Sequence, residues 1–262
     1  MQRVRKQIHF FSESGLADGE GVTIAALDSG VASHPDLDRK VLGFRDFISG
    51  RKAAYDDNGH GTHVCGILCG SGELSGGKYR GMAPGARLVI GKVLDKDGDG
   101  SAEVMLSGLD WIMEVRERYR IRVLNISVGI GELREREKKQ ALREKIEQVW
   151  DRGILVVCAA GNKGPGNGTV SAVGASPRVV TVGCHDGDYR PGYAGLCAIY
   201  SGRGDRNSRV CKPDIVAPGT DIMSCNGDYL RLAGRAGNAY IAKSGTSMAT
   251  PIVSGAAALA FW

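Results

Sequence analysis

No run of apolar residues in this chain approaches the ~20 that a helix needs to cross a bilayer, so a membrane-spanning reading is set aside. No secretory leader is legible: Met1-Gln2-Arg3-Val4-Arg5-Lys6-Gln7 is basic, but no apolar stretch of useful length follows. The seven cysteines include no Cys-x-x-Cys pair and no His–Cys cluster, which removes the common zinc and dithiol patterns. With no leader, that odd number reads as free thiols in a reducing cytoplasm, a secreted mature form being the alternative. There is no block of charge of one sign. The balance is 34 − 29 = +5, and the basic residues of 115–152 and 202–212 are interleaved with acidic ones. Such mixing fits a solvated face rather than a nucleic-acid surface. Repeats, low-complexity tracts and clear linkers are missing too, so the 262 residues are read as one domain with room for a sizeable core.

What the chain does have is an alternation of strand-like and helix-like segments. Strand-like runs occupy 22–27, 87–94, 122–127, 154–160 and 178–183. Helix-like runs occupy 60–71, 101–119, 134–151 and 247–261. In 134–151, Leu142, Ile146 and Val149 recur at helical spacing behind a charged start, the pattern of an amphipathic surface helix. Strand followed by helix, repeated, predicts an α/β fold with a mostly parallel sheet covered on both faces. The 39 glycines cluster at strand ends and in the motifs below, where sharp turns are needed.

Three segments carry chemistry. Ser244-Gly245-Thr246-Ser247-Met248-Ala249-Thr250-Pro251 places a serine among small residues at the start of an apolar helix. Free N–H groups and the partial positive charge of a helix start favour an anion forming beside it. A neutral serine needs a base, and the base needs a group to orient it. Of the five histidines, His9 and His34 lie in polar stretches expected to be exposed, and His185 follows a strand before a loop. His60 and His63 sit instead in Asp56-Asp57-Asn58-Gly59-His60-Gly61-Thr62-His63-Val64-Cys65-Gly66, a polar loop turning into a small-residue helix. Residue types alone do not decide between these two. Asp28 ends the buried strand of Val22-Thr23-Ile24-Ala25-Ala26-Leu27-Asp28, the position at which an open α/β sheet places its site.

Together the three segments resemble the subtilisin-like serine peptidases (subtilases), whose order Asp, His, Ser is a known property of that family. The resemblance covers nearly the whole chain, with Gly21–Leu37, Asn58–Gly66 and Ser244–Gly255 matching the Asp, His and Ser segments. Tyr55-Asp56-Asp57-Asn58 and Lys92-Val93-Leu94-Asp95 are similar to the intracellular, AprX-like branch. The resemblance implies a single-domain, three-layer subtilisin-like fold, with 1–20 as a short N-terminal segment and 21–262 as the peptidase domain. It implies Asp28 as orienting acid, His60 as general base and Ser247 as nucleophile, with His63 structural and one helical turn deeper. It makes Asn162, after the strand Ile154–Ala160, the side-chain donor of an oxyanion hole, with the Ser247 N–H as the second donor.

By the same resemblance, Ser127, Val128 and Gly129 would pair with an extended substrate by β-augmentation and form one wall of the pocket for the residue before the cut. Ala159, Ala160 and Gly161 would form another wall, and Gly98, Asp99 and Gly100 a second strand flanking the substrate. Asp97 and Asp99 would favour basic residues upstream of the cut while Lys163 pulls the other way at its own subsite, so no specificity is assigned from these charges. No metal ligand is assigned and no cofactor is required. Asp95-Lys96-Asp97-Gly98-Asp99-Gly100 begins like an EF-hand calcium loop, but the bidentate Glu of loop position twelve is replaced by Leu106. The structural calcium site of the family has Asp36 in a ligand-like position, yet its companion loop Glu73–Tyr79 is short and poor in ligands.

Cys65 and Cys69 share a helix face behind His60, as small core residues or, alternatively, with Cys65 close enough to His60 to make the protein sensitive to mercurials or oxidation. Two departures from the family stand out: 27 residues precede Asp28, too few for a folded inhibitory pro-domain, and only fifteen follow Ser247. The resulting reading is a serine endopeptidase acting on protein or peptide substrates, with no nucleic-acid or membrane partner. A catalytically silent binding protein on the same fold and a peptide ligase or cyclase are the alternatives.

Overall fold

A computed structural model describes residues 1–10, 18–128, 136–187 and 196–262. Its centre is a parallel sheet in which β1 (Thr23–Asp28) lies between β3 (Arg87–Lys92) and β4 (Ile121–Ile126). With β2 (Val41–Asp46), β5 (Leu155–Ala159), β6 (Val180–Cys184) and β7 (Ile215–Ala217), the order across the sheet is β2-β3-β1-β4-β5-β6-β7. All six residues of β1 are buried, as expected for an apolar strand covered on both faces. A separate antiparallel hairpin pairs β8 (Ile222–Cys225) with β9 (Tyr240–Lys243).

Helices cover both faces. On one side lie α2 (His60–Cys69) and α6 (Thr246–Ala260), which bury Val64, Ile67, Leu68, Met248, Ala249 and Ile252 against the sheet. The N-terminal α1 (Gln2–Gln7) joins this layer through Met1 and Val4. On the other side, α3 (Ala102–Tyr119) and α4 (Arg136–Asp151) bury Met105, Leu109 and Ile112, and Leu142, Ile146 and Val149. Burying each such side chain stabilises the fold by roughly 1.5–3 kcal/mol. The short α5 (Leu196–Tyr200) follows β6. The expected three-layer α/β architecture is present. The periodicity expected at 134–151 is the buried stripe of α4, whose residues 134 and 135 lie outside the described part.

Four strands were not anticipated. β2 is half-exposed and interrupted by Gly43, and β7, β8 and β9 have only three or four residues each, too few for a periodic signal. His34, expected at the surface, is buried. Its Nε2 donates to the Ala239 carbonyl at 2.8 Å and its Nδ1 accepts from the Asp36 N–H at 3.1 Å. The expectation that all thiols are free also fails, since Cys184 and Cys197 are joined with their Cα atoms 5.2 Å apart. Cys65 and Cys69 are fully enclosed core residues, and burial raises both thiol pKa values.

His63 fastens the hairpin to α2. Its Nε2–H points between two carbonyls, Ile222 at 2.9 Å and Ile241 at 3.0 Å, while its Nδ1 is buried and unpartnered. Burial, with the Lys243 charge next, lowers its pKa from 6.5 to about 3. The folded state therefore resists a proton that the unfolded chain accepts from pH 6.5 downward. Stability contributed by neutral His63 is complete above pH 6.5 and drains away toward pH 3, by an amount of the order of 5 kcal/mol. Urea unfolding across that window should show stability falling with acid, and His63→Gln should flatten the slope; an unchanged slope would place the acid sensitivity elsewhere.

Candidate active site

The carboxyl ends of β1 and β5 and the N-terminal ends of α2 and α6 meet at one edge of the sheet. Asp28, 1% exposed at the end of β1, lies 2.7 Å from the Nδ1 of His60 through Oδ1. A carboxylate only accepts, so His60 donates from Nδ1 and presents a bare Nε2 outward. The Ser29 N–H donates to the same Oδ1 at 2.7 Å, and Asp28 Oδ2 is buried without a partner. His60 opens α2 and keeps 22% of its side chain exposed. Burial, the largest influence, pulls its pKa down, but the Asp28 charge and hydrogen bond outweigh this. Asp56 adds to the rise and Lys243 opposes it, leaving the imidazole above its ordinary 6.5.

The start of α2 is held by Asp56, which the sequence did not single out as functional. Its Oδ1 accepts from the Ser29 hydroxyl at 2.9 Å, the Gly59 N–H at 2.8 Å and the Asn58 N–H at 3.1 Å. Its Oδ2 accepts from the Thr62 N–H at 2.8 Å and hydroxyl at 2.6 Å. Lys92, fully buried, braces the same loop by donating at 2.7 Å to Asp57 Oδ1 and to the Ser29 and Leu94 carbonyls. Gly61 permits the close approach, because a Cβ there would sit 2.2 Å from the Gly30 carbonyl.

Ser247 lies in the first turn of α6, partly exposed. Among the described residues it makes no hydrogen bond to His60, and its N–H has no partner, as the first turn of a helix leaves it. Links from a base to its nucleophile are often open in the absence of substrate. Gly245 precedes it at φ 153°, ψ 163°, a region essentially restricted to glycine, and a Cβ there would crowd Asn162 Nδ2 at 3.3 Å. The Asn162 carbonyl oxygen accepts from both the Thr246 N–H and hydroxyl at 3.0 Å. That double acceptance fixes which way the amide faces and leaves Nδ2 without an acceptor among the described residues. Thr246 also accepts from the Gly161 N–H at 3.2 Å, joining the end of β5 to the start of α6. Behind this, Asp186 takes the Gly219 and Thr220 N–H groups, and Gly219 accepts from the Gly245 N–H at 2.9 Å.

Ser127 and Val128 follow β4 directly and are buried, the Ser127 hydroxyl accepting from Asn125 Nδ2 at 2.7 Å. Gly129 lies outside the described residues. Ala159 ends β5, and Ala160 and Gly161 lead from it to Asn162. Gly98, Asp99 and Gly100 do not form a strand: a turn closes at Gly98, and Asp95 Oδ1 accepts the Asp97 and Asp99 N–H groups. Asn58 Nδ2 donates to the Lys96 carbonyl at 3.1 Å, which sets this acidic loop beside the start of α2.

Neither acidic segment fits a calcium ion. One oxygen of the Asp95 carboxylate, Oδ1, is taken by two N–H groups of its own loop, which therefore turns donors rather than oxygens toward it. Asp36 accepts the Tyr240 hydroxyl at 2.6 Å on one oxygen and the Leu74 N–H at 3.2 Å on the other, so the companion loop brings a donor where a cation needs oxygens. His34 and Cys225 stand near Asp36, but both His34 nitrogens are engaged as described above.

A family model described as Subtilase family (Peptidase_S8) matches residues 19–261. The chain is 40% identical over 251 residues to "Serine protease AprX" of Bacillus subtilis (strain 168), covering 92% of this chain and 57% of that protein. It is 35% identical over 246 residues to "Intracellular serine protease" of Paenibacillus polymyxa, covering 92% and 67%. Its fold is similar to the solved structure titled "Sphericase", with a TM-score of 0.82, 28% identity, and 98% and 82% of the two chains covered. It thus spans little more than half the length of the AprX relative.

The Asp56 bonds make one forecast. Asp56→Ala should cost about 3 kcal/mol in urea unfolding, since several donors lose a charged acceptor at once. Asp56→Asn, which still accepts on one atom, should cost less; equal stability of wild type and alanine variant would show the loop to be held by Lys92 alone.

Proposed function

The chain belongs to the subtilase family, and from that premise we propose that it is a serine endopeptidase working through an acyl-enzyme. The observation that carries the reading is the 2.7 Å bond from buried Asp28 to His60, which orients a base with its other nitrogen free at the edge where Ser247 opens α6. In this reading His60 Nε2 takes the Ser247 proton as the hydroxyl oxygen attacks a peptide carbonyl. Asp28 stabilises the imidazolium. Asn162 Nδ2 and the Ser247 N–H receive the oxyanion, donors of a kind worth roughly 3–4 kcal/mol each. His60 next protonates the leaving amine, and water repeats the sequence on the ester. Ser127 to Gly129 and Ala159 to Gly161 would hold the acyl half of the substrate, with 98–100 on its flank. No step needs a metal.

A silent binding protein would have no reason to keep the Asn162 amide locked by Thr246 or the His60 ring anchored on a dry carboxylate. A ligase would share every feature, and water as acceptor is the simpler outcome at an open edge. For location, the intracellular relative supports the cytoplasm, while the Cys184–Cys197 bridge is the mark of an oxidising compartment and supports a secreted mature form.

A fluorophosphonate probe should label Ser247 in the purified protein, as located by mass spectrometry, and His60→Ala should abolish the label. A folded sample that stays unlabelled would return the binding-protein reading. Hydrolysis should also follow the His60 titration. Only neutral imidazole accepts the serine proton, so kcat/KM should rise with pH through a midpoint above 6.5. Asp28→Asn should lower both the rate and that midpoint, and an acid limb that ignores Asp28 would assign it to another group.

A further inference from the structure

The hairpin β8–β9 brings a cation to the site that the mechanism above leaves unused. Lys243 is the last residue of β9, opposite Ile222 in the register, and the chain runs from it through Ser244 and Gly245 straight into α6 and Ser247. His63, one turn below His60 in α2, clamps the carbonyls of Ile222 and Ile241, so the end of β9 is fixed beside that helix. Lys243 thus lies between the helix bearing the base and the helix bearing the nucleophile. It is half-exposed and makes no ion pair among the described residues. Its charge is felt at both His60 and His63. Asp221, just before β8, donates its N–H to the Ser244 hydroxyl at 2.9 Å.

The acyl half of a substrate has its walls on β4 and β5, in the main sheet. The hairpin stands outside that sheet and packs against α2, the helix that His60 opens. We infer that the amine protonated by His60 leaves on the hairpin side and that Lys243 selects the leaving peptide, favouring an aspartate or glutamate as the first residue after the cut. This rests on the peptidase reading. A half-exposed pair of this kind is typically worth a fold-change of up to about five, and added salt screens it.

The test is a matched pair of peptides with the same acyl half and either glutamate or glutamine as the first residue of the leaving half. Wild type should show kcat/KM about three- to fivefold higher for the glutamate peptide, with the ratio shrinking as salt is added. Lys243→Gln should bring the ratio to near one, and Lys243→Glu should invert it. Fluorophosphonate labelling of Ser247 in each variant verifies an assembled site. Equal rates on the two peptides in wild type, or a glutamate preference that survives in Lys243→Gln, would overturn the inference while leaving the peptidase intact. Failure to cleave either peptide, with no label on Ser247, would sink the peptidase reading and this one with it.

Discussion

The bond between Asp28 and His60 is the constraint around which the rest is arranged. A carboxylate in a dry sheet interior is costly unless its charge is answered, and here one oxygen receives both the imidazole and the Ser29 N–H while the other receives nothing. That imbalance leaves the charge weakly solvated and directed at His60. It lasts only if the imidazole cannot swing away, so the loop before α2 must be rigid. Asp56 and Lys92 supply the rigidity, each engaging several groups at hydrogen-bond distance on the segments flanking His60.

The second half of the site follows a similar rule with neutral groups. Asn162 has one donor to present and one acceptor that would compete for direction. Thr246 occupies the acceptor twice, so the amide holds its orientation without a substrate present. Donors fixed beforehand need no reorganisation when negative charge develops. The cost is borne by the backbone at Gly245, whose dihedrals no residue with a Cβ adopts easily. The Asp186–Gly219–Gly245 chain of bonds keeps that backbone in place from behind.

How far the sequence could be read divides along the range of each interaction. β1, β3, β4, β5 and β6 are legible because a strand buried on both faces is a continuous apolar run. α4 is legible because Leu142, Ile146 and Val149 keep helical spacing. Asp28, His60, Ser247 and Asn162 are legible as candidates because each sits in a contiguous motif, and the family resemblance chooses His60 over His63 where residue type does not. The rest depends on partners far along the chain. His34 looks exposed among polar neighbours, yet it bonds Ala239, 205 residues away. The roles of Thr246, Asp56 and Lys92 appear only when loops from different strands converge. The pairing of Cys184 with Cys197 spans a segment of 13 residues with no motif to announce it.

Two lysines near the site show why partners, rather than proximity, decide what a charge does. Lys92 is fully buried, and its three donors are spent on two carbonyls and Asp57. Removing any of those acceptors would leave a stranded charge, so its position is dictated by the fold. Lys243 makes no such bonds among the described residues. It opposes the protonation of His60 that Asp28 promotes, which makes it mildly adverse to the imidazolium in the resting site. A cation in that position is favoured when an anion arrives with the leaving half of the substrate, the role inferred for it above.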